Sequence, residues 1–207
     1  MGFETTVIGA TIMPTITDGN YKMGLVANLS LPPVLSCNKN APCARKGCYA
    51  KKFRRFPACV KMWTRNWRQW HRRPKVYESQ LVDYLTDYEP PIFRWHVSGD
   101  IPDTDYWSMM LRIARQFPYI KFLAFTKQYD LVKGRIPSNM SVVLSAWPGF
   151  HIPAKMRGRF PVAWLRDHNQ PDNRIPADAI ECHGNCERCG ICWSLPHLGR
   201  DVVFDRH

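Results

Sequence analysis

Residues 92–127 read IFRWHVSGDIPDTDYWSMMLRIARQFPYIKFLAFTK, and their apolar period changes twice. Ile92–Val97 is a short run rich in β-formers that stops at Ser98-Gly99-Asp100, which reads as a strand and its exit. Asp103 stands where a helix cap belongs, and Tyr106, Met109, Met110, Ile113, Ala114 and Phe117 then recur on one helical face. Ile120–Phe125 returns to strand character and ends at Thr126-Lys127. Strand, helix and strand within 36 residues is one parallel βα unit.

The same alternation extends outward. A short helical segment is expected over 128–133, with strands at Ser141–Ser145 and Phe160–Leu165. Upstream, Lys22–Ser30 reads as a first strand after an irregular lead-in over residues 1–21. Phe53, Phe56, Val60, Trp63, Trp67 and Trp70 fall at helical spacing, with Lys61, Arg65, Arg68 and Arg72 opposite. Pro57 suits the first turn of that helix and Pro74 its end. Tyr77, Leu81, Tyr84 and Leu85 mark a second helix. The expected fold is therefore α/β, an incomplete (β/α) barrel or an open parallel sheet. Residues 1–165 form its α/β part. Residues 166–207 form a loop-rich, Cys-rich C-terminal segment packed with it as one unit.

Composition narrows the function classes. The 207 residues hold eight cysteines and a net charge of +12. No apolar run has the length needed to span a bilayer. The opening MGFETTVIGATIMP carries acid where an export signal carries base, so a cytoplasmic location is expected, with no membrane partner. Thiols stay reduced there, so clustered cysteines point to metal ligation and not to disulfides. The positive charge is local: no acid occurs between Asp18 and Glu78, while 14 Lys and Arg lie from Lys22 to Lys75. That block suits an anionic substrate or a nucleic acid, or simply a solvated helix face.

The cysteines fall in two groups. Cys37, Cys43 and Cys48 lie within twelve residues, on a loop after a strand. Three thiolates on a four-iron cubane leave one iron open to a ligand. Cys182, Cys186, Cys189 and Cys192 have two successive x2 gaps, the spacing of ferredoxin-type loops. Two 4Fe–4S clusters, or one fully ligated cluster with idle thiols, satisfy this count. Zinc is the alternative metal, with His183 or His197 as substitutes. Cys59 reads as a lone buried thiol. At the strand ends, Ser98, Gly99, Asp100, Thr126, Lys127 and Ser145 are candidate ligand-binding residues. His96 alternates with Arg94 and Ser98; it either points into the site or sits satisfied in the core. The Trp63, Trp67 and Trp70 stripe either stacks bases or packs against the sheet.

Cys-x5-Cys-x4-Cys-Tyr-Ala, the Arg94–Asp100 segment, the Tyr106–Pro118 helix, Phe125-Thr-Lys127 and the tail ending in Cys192-Trp193 resemble the phage "gene product eighty-eight" family. A phage protein would act in the host cytoplasm. More distantly, the layout is similar to radical S-adenosylmethionine (SAM) enzymes. Their usual motif is Cys-x3-Cys-x2-Cys with an aromatic before the last cysteine; here the gaps are five and four, and Tyr49 follows it. That resemblance implies an open-iron cluster at Cys37, Cys43 and Cys48 with SAM bound beside Tyr49. It matches Ser98-Gly99-Asp100 to the element that holds the SAM ammonium group. It also implies a reductant protein as partner. Two other expectations remain: a metal-stabilised nucleic-acid-binding protein without catalysis, and an iron–sulfur redox sensor or electron carrier.

Overall fold

The computed structural model describes residues 13–45, 47–169 and 174–205. The expectation of no export signal rests on residues 1–14, of which 1–12 lie outside the described residues.

The chain enters through strand β1 (Ile16–Asn20), turns, and returns antiparallel as β2 (Gly24–Leu29). A cysteine-bearing loop follows, with a helical turn α1 (Pro42–Arg45) and a 3-10 segment over Tyr49–Arg55. Helices α2 (Pro57–Arg72) and α3 (Pro74–Tyr88) come next, each with proline in its first turn, where its missing N–H costs nothing. Then come β3 (Ile92–Trp95), α4 (Thr104–Gln116), β4 (Lys121–Thr126), β5 (Met140–Ala146) and β6 (Val162–Arg166). The last part contains β7 (Ile180–Glu181), helical turns α5 (Cys186–Cys189) and α6 (Leu195–Leu198), and β8 (Val202–Asp205).

The described strands form one sheet in the order β1-β2-β3-β4-β5-β6-β8-β7, parallel at every pairing except β1 with β2. From β2 to β6 each strand lies beside its successor in the chain. The sheet is open, with β1 and β7 as its edges, so of the two expected architectures the open parallel sheet is the one observed.

A parallel sheet needs cover on both faces, because its strands are apolar on both. One face presents Leu29, Phe93, Trp95, Phe122, Val142 and Leu144 to the helices, which bring Trp70, Tyr77, Leu81, Tyr106, Met110 and Ile113. Burying each such side chain stabilises the fold by about 1.5–3 kcal/mol. The other face presents Val26, Leu123, Val143, Ala163 and Val202 to the C-terminal segment, which brings Trp193 and Leu195. Asp103 caps α4 by accepting from the Tyr106 N–H at 2.8 Å, and its other oxygen accepts from Trp70 Nε1 at 2.9 Å. One carboxylate thus starts α4 and ties it to α2.

Three expectations need correction, and one open alternative is resolved. The lead-in is not wholly irregular, since Ile16–Asn20 pairs with β2; Asn20 steers the turn by accepting from the Lys22 N–H at 3.0 Å. The strand expected to reach Val97 ends at Trp95, because His96 adopts a left-handed backbone with φ 56°. Phe53 and Phe56 precede α2 and are exposed, so they do not extend its buried stripe. Trp63 and Trp70 are buried, which makes them core residues; Trp67 is partly exposed and its ring lies 3.9 Å from that of His71.

Candidate metal centres at the strand ends and over the sheet

The first cysteine loop folds across the carboxyl ends of the strands. It leaves β2 through Leu31, whose N–H donates to the Ser98 carbonyl at 2.8 Å. Ser36 Oγ accepts from the Asp100 N–H at 3.1 Å, and Asn38 Nδ2 donates to the Lys127 carbonyl at 3.0 Å. The exits of β3 and β4 therefore seat this loop. Gly99 makes the seat fit. It holds φ 85°, and a Cβ there would stand 2.6 Å from Ser36 Oγ and 2.7 Å from the Leu31 carbonyl. Only glycine tolerates both that backbone and that approach.

Asp100 is the hub. It is buried, and its Oδ1 accepts from Thr126 Oγ1 at 2.7 Å and from the Ile101 N–H at 2.8 Å. Its Oδ2 accepts from the Lys127 N–H at 2.8 Å. Burial pushes the carboxyl up, and these donors pull it back toward the ionised form. Burial, and next the Asp100 charge, push the Cys37 thiol up to about 12. Cys43 is likewise raised by burial, against the pull of the Lys127 ammonium. Cys37 and Cys43 each feel the charge of Cys48, so the three thiols lie in one electrostatic neighbourhood.

The other candidates gather around the same place. Tyr49 donates its hydroxyl to the Val97 carbonyl, and it feels the charges of all three cysteines. Ser98 Oγ is buried without a hydrogen-bond partner among the described residues. Lys127 Nζ lies 5.4 Å from the centre of the Trp147 ring. The Ser145 carbonyl accepts from the Tyr129 hydroxyl at 2.6 Å. Tyr129, which sequence reasoning did not single out, feels the charges of Asp100 and Cys43.

His96 does not join them. Its left-handed backbone breaks the alternation, so the ring turns to the helix face and its Nε2 pairs with the Tyr106 hydroxyl at 3.2 Å. Burial holds it neutral, down to about 3, aided by the Arg94 charge. His96 is therefore a core histidine, satisfied at Nε2 but with its buried Nδ1 lacking a hydrogen-bond partner among the described residues.

The second cysteine group lies over the sheet. Cys182 N–H donates to the Val203 carbonyl at 3.0 Å, so the segment leaves directly from the paired β7 and β8. Asn185 starts α5, accepting from the Arg188 N–H at 3.2 Å, and Gly190 ends it in a left-handed turn. The Asn185 and Glu187 N–H groups donate to the carbonyls of Lys22 and Met23, fixing the segment to the β1–β2 turn. Cys182, Cys186 and Cys192 pack against the apolar face. Burial, with the charges of Cys182, Cys186 and Cys189, pushes Cys192 up to about 12.

Arg94 faces this group, and the sequence reading gave it no role. It is half-buried on β3, and its Nε is buried without a partner. Its guanidinium lies 5.0 Å from the Phe125 ring centre, its Nη1 donates to Met23 Sδ at 3.3 Å, and its charge acts on Cys186 and Cys192. No carboxylate pairs with it among the described residues. The available signal was a charge inside a strand whose neighbours Phe93 and Trp95 are fully buried.

Both sulfur sets have the chemistry of thiolate ligands, and within each set the thiols act on one another electrostatically. Among the described residues, no three Cys, His, Asp or Glu side chains are already drawn to the spacing a bound ion requires. Cys59 lies on α2, apart from both sets in the chain, and is partly buried.

A family model described as Gene product 88 matches residues 10–195. The "Gene 88 protein" of Mycobacterium phage D29 is 25% identical over 209 residues, covering 84% of this chain and 85% of that protein. The "Gene 88 protein" of Mycobacterium phage L5 is 24% identical over 208 residues, with the same two shares. No solved structure matches. No helix of the described residues is long and apolar enough to cross a membrane.

Proposed function

The chain belongs to the Gene product 88 family, whose relatives named above are encoded by phages, and for this member we propose an iron–sulfur protein with two thiolate-held centres. Cys37, Cys43 and Cys48 hold an open-iron 4Fe–4S cluster at the strand ends. Cys182, Cys186, Cys189 and Cys192 hold a second one over the sheet. The observation that carries the proposal is Arg94. A half-buried cation with no carboxylate partner among the described residues is costly, unless the group it faces is anionic. Four cysteine thiols supply that charge only as thiolates, which is the form that binds metal. Zinc would satisfy Arg94 equally, so the metal is what the experiment must decide.

Cys37, Cys43 and Cys48 would hold the cluster, which would supply one-electron reducing chemistry toward SAM. The residues around it are suited to binding and orientation. Asp100 and Thr126 lock the exits of β3 and β4 in register, which fixes the loop bearing the three cysteines. Ser98 Oγ offers an unused hydrogen-bonding group beside Gly99, where backbone approaches closely. Lys127 places a cation beside Cys43, offsetting the charge of a bound anionic cluster. Tyr49 covers the loop and is tethered by its hydroxyl. An anionic substrate, nucleic acid among the candidates, and a reductant protein complete the proposal.

Anaerobic iron and sulfide analysis with EPR, run with and without SAM, tests it. Two cubanes are expected, with the signal of one altered by SAM. Cys37→Ser should remove the SAM-responsive signal and Cys186→Ser the other. A folded, colourless protein containing zinc or no metal would overturn the iron reading. Two clusters blind to SAM would leave the electron-carrier reading in its place.

A further inference from the structure

We propose that the exposed ridge from Lys52 to Arg72 is a binding surface for single-stranded nucleic acid. The inference rests on surface groups alone and stands whether or not the cysteines carry iron.

The first observation is charge without partners. Lys52, Arg54, Arg55, Lys61, Arg65, Arg68 and Arg72 are all exposed. None of them pairs with a carboxylate among the described residues. Some cations elsewhere on the surface are paired, such as Arg112 with Glu78 at 2.7 Å, Arg166 with Glu181 at 2.6 Å and Arg200 with Asp178 at 3.8 Å; what sets this ridge apart is seven unpaired cations within 21 residues and beside exposed rings. On α2, Lys61, Arg65, Arg68 and Arg72 share the side opposite buried Trp63, Asn66 and Trp70. A row of unpaired like charges repels itself, and a polyanion relieves that repulsion.

The second observation is aromatic. Phe53 and Phe56 are 38% and 43% exposed, with ring centres 6.1 Å apart. Lys52 Nζ stands 5.7 Å from the Phe53 ring centre, and the Arg55 guanidinium 4.9 Å from that of Phe56. Large apolar rings left in water beside cations offer both parts of a single-strand site: faces for bases and charges for the backbone. A duplex hides its bases, so the rings favour unpaired strands. The ridge also begins four residues after Cys48, so a strand lying on it is delivered toward the first cysteine loop.

Fluorescence anisotropy of the full chain with labelled single-stranded RNA and single-stranded DNA oligonucleotides tests this. Binding of either strand should weaken as salt rises, with a log–log slope of about −3 if four phosphates are neutralised. Lys61→Gln/Arg65→Gln/Arg68→Gln should flatten that slope. Phe53→Ala/Phe56→Ala should weaken binding roughly tenfold or more while leaving the slope unchanged. Arg112→Gln/Arg200→Gln, which removes paired cations elsewhere, should change neither. Absent or salt-insensitive binding would overturn the proposal. So would a duplex binding as tightly as the single strand, or vesicles of anionic phospholipid competing equally, since those outcomes assign the ridge to charge alone. All substituted residues are exposed, and far-UV circular dichroism checks that each variant keeps its fold.

Discussion

Replacing Gly99 with alanine should cost far more than adding one methyl group usually does. Two terms contribute. The backbone sits at φ 85°, where an L-residue loses about 1 kcal/mol or more. The new Cβ would also stand 2.6 Å from Ser36 Oγ, 2.7 Å from the Leu31 carbonyl and 2.8 Å from Leu31 Cβ. Ser36 already accepts from Asp100 N–H, and Leu31 is fully buried, so neither gives way cheaply. Overpacking of this kind adds about 2 kcal/mol. The sum, about 3 kcal/mol, is a large part of a typical domain's stability and should lower Tm by about 6–12 °C. Gly149→Ala is the internal control: its φ is 72°, but nothing lies within 4 Å of the added carbon. It should lose only the backbone term of about 1 kcal/mol. Urea denaturation of both variants, read as midpoint at constant slope, gives the difference. Equal losses at Gly99 and Gly149 would refute the close seating of the cysteine loop on the β3 exit.

Three further outcomes follow from the buried polar groups. His96 is neutral when folded, at about 3, but ordinary near 6.5 when unfolded, so the unfolded chain binds the extra proton in between. Stability therefore falls on acidification through 6.5, and the His96 contribution from pH 7.5 to 5.5 is a loss of about 1.4 kcal/mol. His96→Asn, which tolerates the left-handed backbone and does not titrate, should shrink the measured drop by that amount in urea melts at the two pH values. Asn66 is fully buried and clamps the chain ahead of β1, accepting from Thr15 N–H and donating to the carbonyls of Thr15 and Ser30. Asn66→Ala should cost about 2–3 kcal/mol by calorimetry, because Ser30 and Thr15 lose their partner. Arg94→Met should stabilise the metal-free protein by about 1 kcal/mol while impairing retention of the second centre, read as iron content after gel filtration. A variant less stable without metal would show that Arg94 is satisfied by the protein alone.

Much of the sheet was legible because its signals are local. The Asp103 cap, the α4 stripe and the runs that became β3, β4 and β5 each follow from spacing alone. The first cysteine loop and the exits Ser98-Gly99-Asp100 and Thr126-Lys127 were legible as neighbours, since parallel strands gather their carboxyl ends. What escaped depended on tertiary context. β1 is broken by Asp18-Gly19-Asn20, β7 has two residues, and β8 follows a cysteine-rich loop, so their residues become strands only because a partner edge awaits them. His96 left the strand through a backbone state that histidine seldom adopts. Phe53 and Phe56 kept helical spacing across Pro57, so a pattern of period 3.6 continued into a segment that is not on the helix. Arg94 was passed over because a charge in a strand normally marks the wet face, whereas here that face is roofed by the C-terminal cysteines.

The second cysteine segment departs from β7 and re-enters at β8, and those strands lie side by side, with Ile180 opposite Val202. An excursion that begins and finishes at adjacent points is, mechanically, an attachment on a narrow neck. Its length can vary at little entropic cost, about 0.6 kcal/mol for each doubling. Sequence drift can therefore lengthen or shorten the stretches next to this neck, while the part that carries Trp193 and Leu195 stays held on the sheet.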